Sequence, residues 1–149
     1  MKKVKAAVSS ALVATAALTA SLSIGAPAQA ASNPYTPTGV CGSGYRNVAS
    51  QSLRSLSTNG VLATVYVLKK LTSDTPSFCV VTLKSSATTG NSNTVMATIK
   101  DAQDSSDTRT DKGGFGYYAG PVKVTAVCVR WGGEYNQGSY NLSYYDLAC

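Results

Sequence analysis

Along the chain, apolar and polar positions fall into runs of different period. Residues 61–68 (Val-Leu-Ala-Thr-Val-Tyr-Val-Leu) and 78–83 (Phe-Cys-Val-Val-Thr-Leu) are β-branched and apolar at both parities, which predicts strands buried on both faces. Between them Thr72-Ser73-Asp74-Thr75-Pro76-Ser77 is a turn cluster, so a hairpin is the simplest connection. Residues 94–100 set Val95, Ala97 and Ile99 against Thr94, Thr98 and Lys100, a half-buried strand in which Met96 is the imperfection. Residues 121–131 alternate Val122, Val124, Ala126 and Cys128 against Lys123 and Thr125. Further strands are expected at 44–49, around 115–119 and around 140–146, while 51–56 fits a short helical turn equally well. Neither helical periodicity nor an internal repeat is visible after residue 30. The pattern predicts an all-β fold, a small antiparallel β-sandwich or barrel-like domain over 41–149. Residues 31–40 read as a flexible lead, with Pro34 and Pro37 forbidding regular pairing.

Ahead of this domain, Lys2, Lys3 and Lys5 precede an uncharged run from Ala6 to Ile24, and Ala28-Gln29-Ala30 follows. That order predicts a secretory signal peptide over 1–30, cleaved after Ala30. The Ser and Thr residues within the run argue against a membrane anchor. Cleavage changes the charge picture: the whole chain carries +6, but losing three lysines leaves ten cations against seven acids, or +3. So small a surplus, with Lys69-Lys70 the only adjacent basic pair after residue 30, does not predict nucleic-acid binding. No second apolar run and no lipid-attachment cysteine follow, so the exported form is expected to have no membrane span.

All four cysteines, Cys41, Cys79, Cys128 and Cys149, lie after the signal, and an even number in a small exported domain implies two disulfides. Strand parity puts Cys79 with Val81 and Leu83, and Cys128 with Val122, Val124 and Ala126, both on apolar faces. A buried Cys79–Cys128 bridge is therefore expected, leaving Cys41 to pair with Cys149. Their spacing is long and contains no C-x-x-C, which disfavours zinc.

The chain has no histidine, which removes imidazole bases, nucleophiles and metal ligands. The acids are few. Asp101, Asp104, Asp107 and Asp111 share one segment, but at spacings unlike an EF-hand loop and diluted by Arg109 and Lys112, so it reads as a solvated loop rather than a calcium site. Glu134 is the only glutamate, and Glu134 with Asp146 is the one pair that could serve a glycosidase. Neither catalytic residues nor a cofactor is assigned. The nine tyrosines and Trp131 all follow residue 30 and are more distinctive, with Tyr117, Tyr118, Trp131, Tyr135, Tyr140, Tyr144 and Tyr145 gathered in the last third. Tyr118, Trp131, Tyr135, Tyr140 and Tyr144 form the candidate binding surface, since rings beside Asn136, Gln137 and Asn141 suit sugar stacking or a protein contact.

NPYTPTGVCGSGY at 33–45, TVYVL at 64–68, CVVTLK at 79–84, YYAGPVKV at 117–124, CVRWGG at 128–133 and terminal Cys149 span the domain. In these motifs the chain resembles the streptomycete spore-associated protein A family. The resemblance implies a small exported protein found with spores or aerial structures, without an activity that transfers to any residue. The expected function is a secreted, noncatalytic domain on the spore or cell-wall surface, structural or binding in role. A wall-polysaccharide enzyme and a small secreted inhibitor or toxin are the alternatives.

Overall fold

The computed structural model describes residues 32–72, 74–137 and 140–149, so the signal peptide expected at 1–30 lies outside the described residues. A short helix, α1 (Pro37–Cys41), precedes eight strands: β1 (Arg46–Arg54), β2 (Val61–Lys70), β3 (Ser77–Lys84), β4 (Asn93–Asp101), β5 (Thr108–Phe115), β6 (Tyr118–Thr125), β7 (Val129–Gln137) and β8 (Tyr140–Ala148). They form two four-stranded antiparallel sheets, ordered β1-β2-β3-β6 and β5-β4-β7-β8. The architecture is the expected all-β sandwich, with two disulfides.

One parity of each central strand faces the space between the sheets. Ala63, Val65, Val67, Phe78, Val80, Val122 and Val124 of the first sheet meet Val95, Ala97, Ile99, Val129, Trp131 and Tyr135 of the second. Thr82 donates its hydroxyl proton to the Met96 carbonyl at 2.8 Å, tying the two sheets together inside the core. Lys84 ends β3 on the same inward parity and is also buried. Its ammonium donates to the carbonyls of Asn91 and Phe115, and burial lowers its pKa.

The other parity of β3 is apolar as well. Cys79, Val81 and Leu83 join Leu68 and Cys41 in a second cluster, on the outer side of the first sheet. Residues 33–41 cover it. Thr36 caps α1, its Oγ1 accepting from the Gly39 amide at 3.1 Å, with Pro37 in the first turn. Asn33 Nδ2 donates to the carbonyls of Lys84 and Tyr117 at 3.0 and 2.9 Å, and the Tyr35 ring meets those of Tyr117 and Tyr118 edge-on. The flexible lead expected at 31–40 is thus corrected for 33–40: prolines keep it out of a sheet, but side chains dock it.

The expected disulfide pairing is also overturned. The bridges are Cys41–Cys79 and Cys128–Cys149. Parity correctly gives Cys79 an apolar face, but that face lies under α1 rather than in the inter-sheet core, so it meets Cys41. Cys128 stands in the β6–β7 turn, and the pairing of Val129 with Ala148 brings it opposite Cys149. The strand expected over 121–131 is interrupted there. Ala126 stays buried and donates its amide to the Pro76 carbonyl, which prolongs the alternation beyond the end of β6 at Thr125. Residues 51–54 are strand rather than helical turn, because Gln51 and Leu53 pair with Val65 and Ala63. The strand expected around 115–119 divides between the end of β5 and the start of β6.

Candidate functional site

The register of the second sheet lays its solvent face out in cross-strand rows. From β5 to β8 one row reads Thr108, Lys100, Arg130, Leu147; the next Thr110, Thr98, Gly132, Tyr145; the third Lys112, Met96, Glu134, Ser143. In the third row Lys112 Nζ donates to Glu134 Oε2 at 2.8 Å, reaching across the intervening strand at Met96. Met96, the imperfection in the alternation of β4, is an outward residue only 7% exposed.

The Tyr145 ring comes close to the backbone on this face because Gly132 has no side chain. A Cβ there would lie 2.4 Å from Tyr145 Cδ1 and 2.3 Å from the Tyr144 carbonyl oxygen. The adjacent Gly133 serves the opposite face, where a Cβ would lie 2.4 Å from Thr82 Oγ1 and 2.7 Å from Val65 Cγ2. The two glycines of WGG therefore permit, in turn, a seated ring outside and close sheet packing inside. With one side on the sheet, Tyr145 is still 57% exposed. Its hydroxyl donates to Glu134 Oε1 at 2.6 Å. Burial, then the hydrogen bond and charge of Glu134, push the phenol pKa up to about 12. Hydrogen bonds from Lys112 and Tyr145 hold the Glu134 carboxyl below its ordinary range, so it is ionised and accepts from both.

Beside the ring, Lys100 and Arg130 face each other across paired strands, and neither has an ion-pair partner among the described residues. Two adjoining hollows of 250 and 370 Å³ share Lys100, Arg130 and Tyr145 in their walls, with Asp146 and Leu147 at the rim of the larger. Asp146 is engaged locally, accepting from Tyr144 Oη and the Leu147 amide, both at 2.8 Å.

The expected binding residues are dispersed by this geometry. Trp131 and Tyr135 are 1% and 0% exposed and belong to the core, which corrects their assignment to a contact surface. Tyr144 is half-buried and packs on Trp131 with ring centroids 5.3 Å apart. Tyr118 is half-buried against the second cluster, on the other sheet. The Tyr140 side chain lies outside the described residues. Sequence reasoning misses Lys100, Arg130 and Gly132, and of the Tyr144-Tyr145 pair it takes Tyr144 as the contact residue. The signal for Tyr145 was its parity: Tyr144 keeps step with apolar Leu142 and Ala148, Tyr145 with Ser143.

The glycosidase pair fails on the same grounds. Glu134 pairs with Ser143 and Asp146 with Trp131, so the two acids have opposite parity in the sheet, and each carboxylate is already engaged, Glu134 by Lys112 and Tyr145 and Asp146 by Tyr144 and the Leu147 amide. In the aspartate segment Asp101 and Asp104 accept from nearby amides, Asp107 pairs with Arg109, and Asp111 accepts from the Gly120 amide. Among the described residues no group of three His, Cys, Asp or Glu side chains gathers to hold a metal.

Over 132 residues the chain is 36% identical to spore-associated protein A of Streptomyces coelicolor, covering 85% of this chain and 79% of that protein. The chain belongs to the spore-associated protein A family. No family model matches the sequence, and no solved structure matches it. For this member of the spore-associated protein A family, no described helix is long and apolar enough to cross a membrane.

Proposed function

We propose that this is an exported, noncatalytic protein of the spore or cell envelope, acting there as a structural or binding domain. The observation that carries the reading is the relationship to a protein named for its association with spores. Two disulfides are compatible with an extracellular setting. The chemistry of the surface agrees with a binding role: Glu134 is occupied by Lys112 and Tyr145, while an exposed ring and two cations stand ready for contact. The signal-peptide pattern at 1–30 supports export. The reading is tested by sedimenting the purified, oxidised protein with isolated spore walls, scoring both retention and sugar release. Saturable retention without released sugar is the expected result, whereas release of reducing sugar would replace the binding role with hydrolysis.

A further inference from the structure

On the solvent face of the second sheet, we infer that Tyr145, Lys100 and Arg130 form a binding site for an anionic polysaccharide, with a sugar ring stacked on Tyr145 and its carboxylate or phosphate held by the two cations. The inference deepens the envelope-binding reading and rests on it.

Three features built into the fold converge on this chemistry. The Tyr145 ring is seated against Gly132, fixed at its hydroxyl by Glu134 at 2.6 Å and still largely exposed, so it is a preformed apolar plate open to solvent. An aromatic face offered to solvent with its polar tip already bonded suits the C–H-lined face of a pyranose. The cations occupy the next row, within the same pair of hollows, and neither is neutralised by an ion pair among the described residues. Arg130 offers the planar fork that accepts a carboxylate or phosphate with two parallel hydrogen bonds, and Lys100 adds a point charge. The threonine hydroxyls of Thr98 and Thr108 border the smaller hollow and can meet sugar hydroxyls. Charge complementarity therefore selects an acidic glycan over a neutral one, and the ring selects a glycan over a bare polyanion.

The two requirements can be separated by affinity electrophoresis of the oxidised protein in gels containing polygalacturonate, its neutral methyl ester, or polyphosphate. Polygalacturonate is expected to retard the wild type, with a dissociation constant raised at least about tenfold by Tyr145→Ala or by Arg130→Gln. Tyr145→Phe retains the plate and should bind within about threefold of wild type, a shift of roughly 0.6 kcal/mol. Far-ultraviolet circular dichroism and melting curves establish that each variant is folded. Retardation by the methyl ester equal to that by polygalacturonate would overturn the role of the cations. Equal retardation by polyphosphate would overturn that of the ring. If the alanine and glutamine variants bind as the wild type does, or the wild type is not retarded, the site is wrong. Should the protein nonetheless sediment with spore walls, the envelope reading stands and only this face is excluded.

Discussion

Gly132 and Tyr145 show how one missing side chain shapes a surface. Adding a methyl group at Gly132 drives it against the Tyr144 carbonyl, which belongs to the backbone of a paired strand and cannot swing aside. Gly132→Ala is expected to cost about 1–3 kcal/mol, read as a lower urea midpoint. Gly116→Ala is the control: its Cβ would meet nothing closer than 3.9 Å, and a change within about 0.5 kcal/mol is expected. Tyr145 also makes stability depend on alkaline pH. Its folded-state pKa of about 12 lies above the ordinary 10.0, so the unfolded chain gives up this proton first as pH rises. The contribution of this group is complete below pH 10 and is lost between pH 10 and about 12. An absorbance titration of the phenolate band should contain a component near 12 that is lost in Tyr145→Phe. If removing Tyr145 changed nothing in this range, burial and the Glu134 bond together would not be raising this phenol.

The strands legible in the sequence are those whose neighbours on both sides are fixed by burial. β2, β3 and β4 carry enough β-branched residues at one or both parities to declare themselves, and the β2–β3 hairpin follows from the turn cluster between them. Parity is less informative about what covers a face. β3 is apolar on both, and nothing in its residues says that one side faces a sheet and the other a proline-led segment only five helical residues long. Strand parity alone therefore points to a Cys79–Cys128 bridge that the fold does not make. Likewise Trp131 and Tyr135 look like contact aromatics until the register of β7 turns them inward, and Tyr145 emerges only when β8 is placed beside Gly132. The corrected bridges close loops of different length, with sequence separations of 38 and 21. Chain-entropy arguments give about 4 kcal/mol for Cys41–Cys79 and about 3 kcal/mol for Cys128–Cys149. Double serine variants of each pair should lose stability in that order, and nonreducing peptide mapping should recover those two links. A Cys79–Cys128 peptide would refute the placement of α1 on the first sheet.

At the scale of the whole molecule, the two sheets present unlike outer faces. On the first, residues 33–41, pinned by Cys41–Cys79 and by Asn33, cover the apolar cluster around Cys79, Val81 and Leu83, while most of β1 stays exposed. The second is polar and partly cationic, with the exposed Tyr145 ring seated against Gly132. Export is read from the leader pattern and spore association from the family motifs, whereas the face proposed for the contact emerges only from the register of four strands. The most direct test of the envelope-binding account is sedimentation of the oxidised protein with isolated spore walls over a range of concentrations, repeated after reduction of both disulfides. The account predicts saturable retention that is lost when the bridges are reduced and the folded face goes with them. Failure of the oxidised protein to sediment with any wall preparation would contradict it.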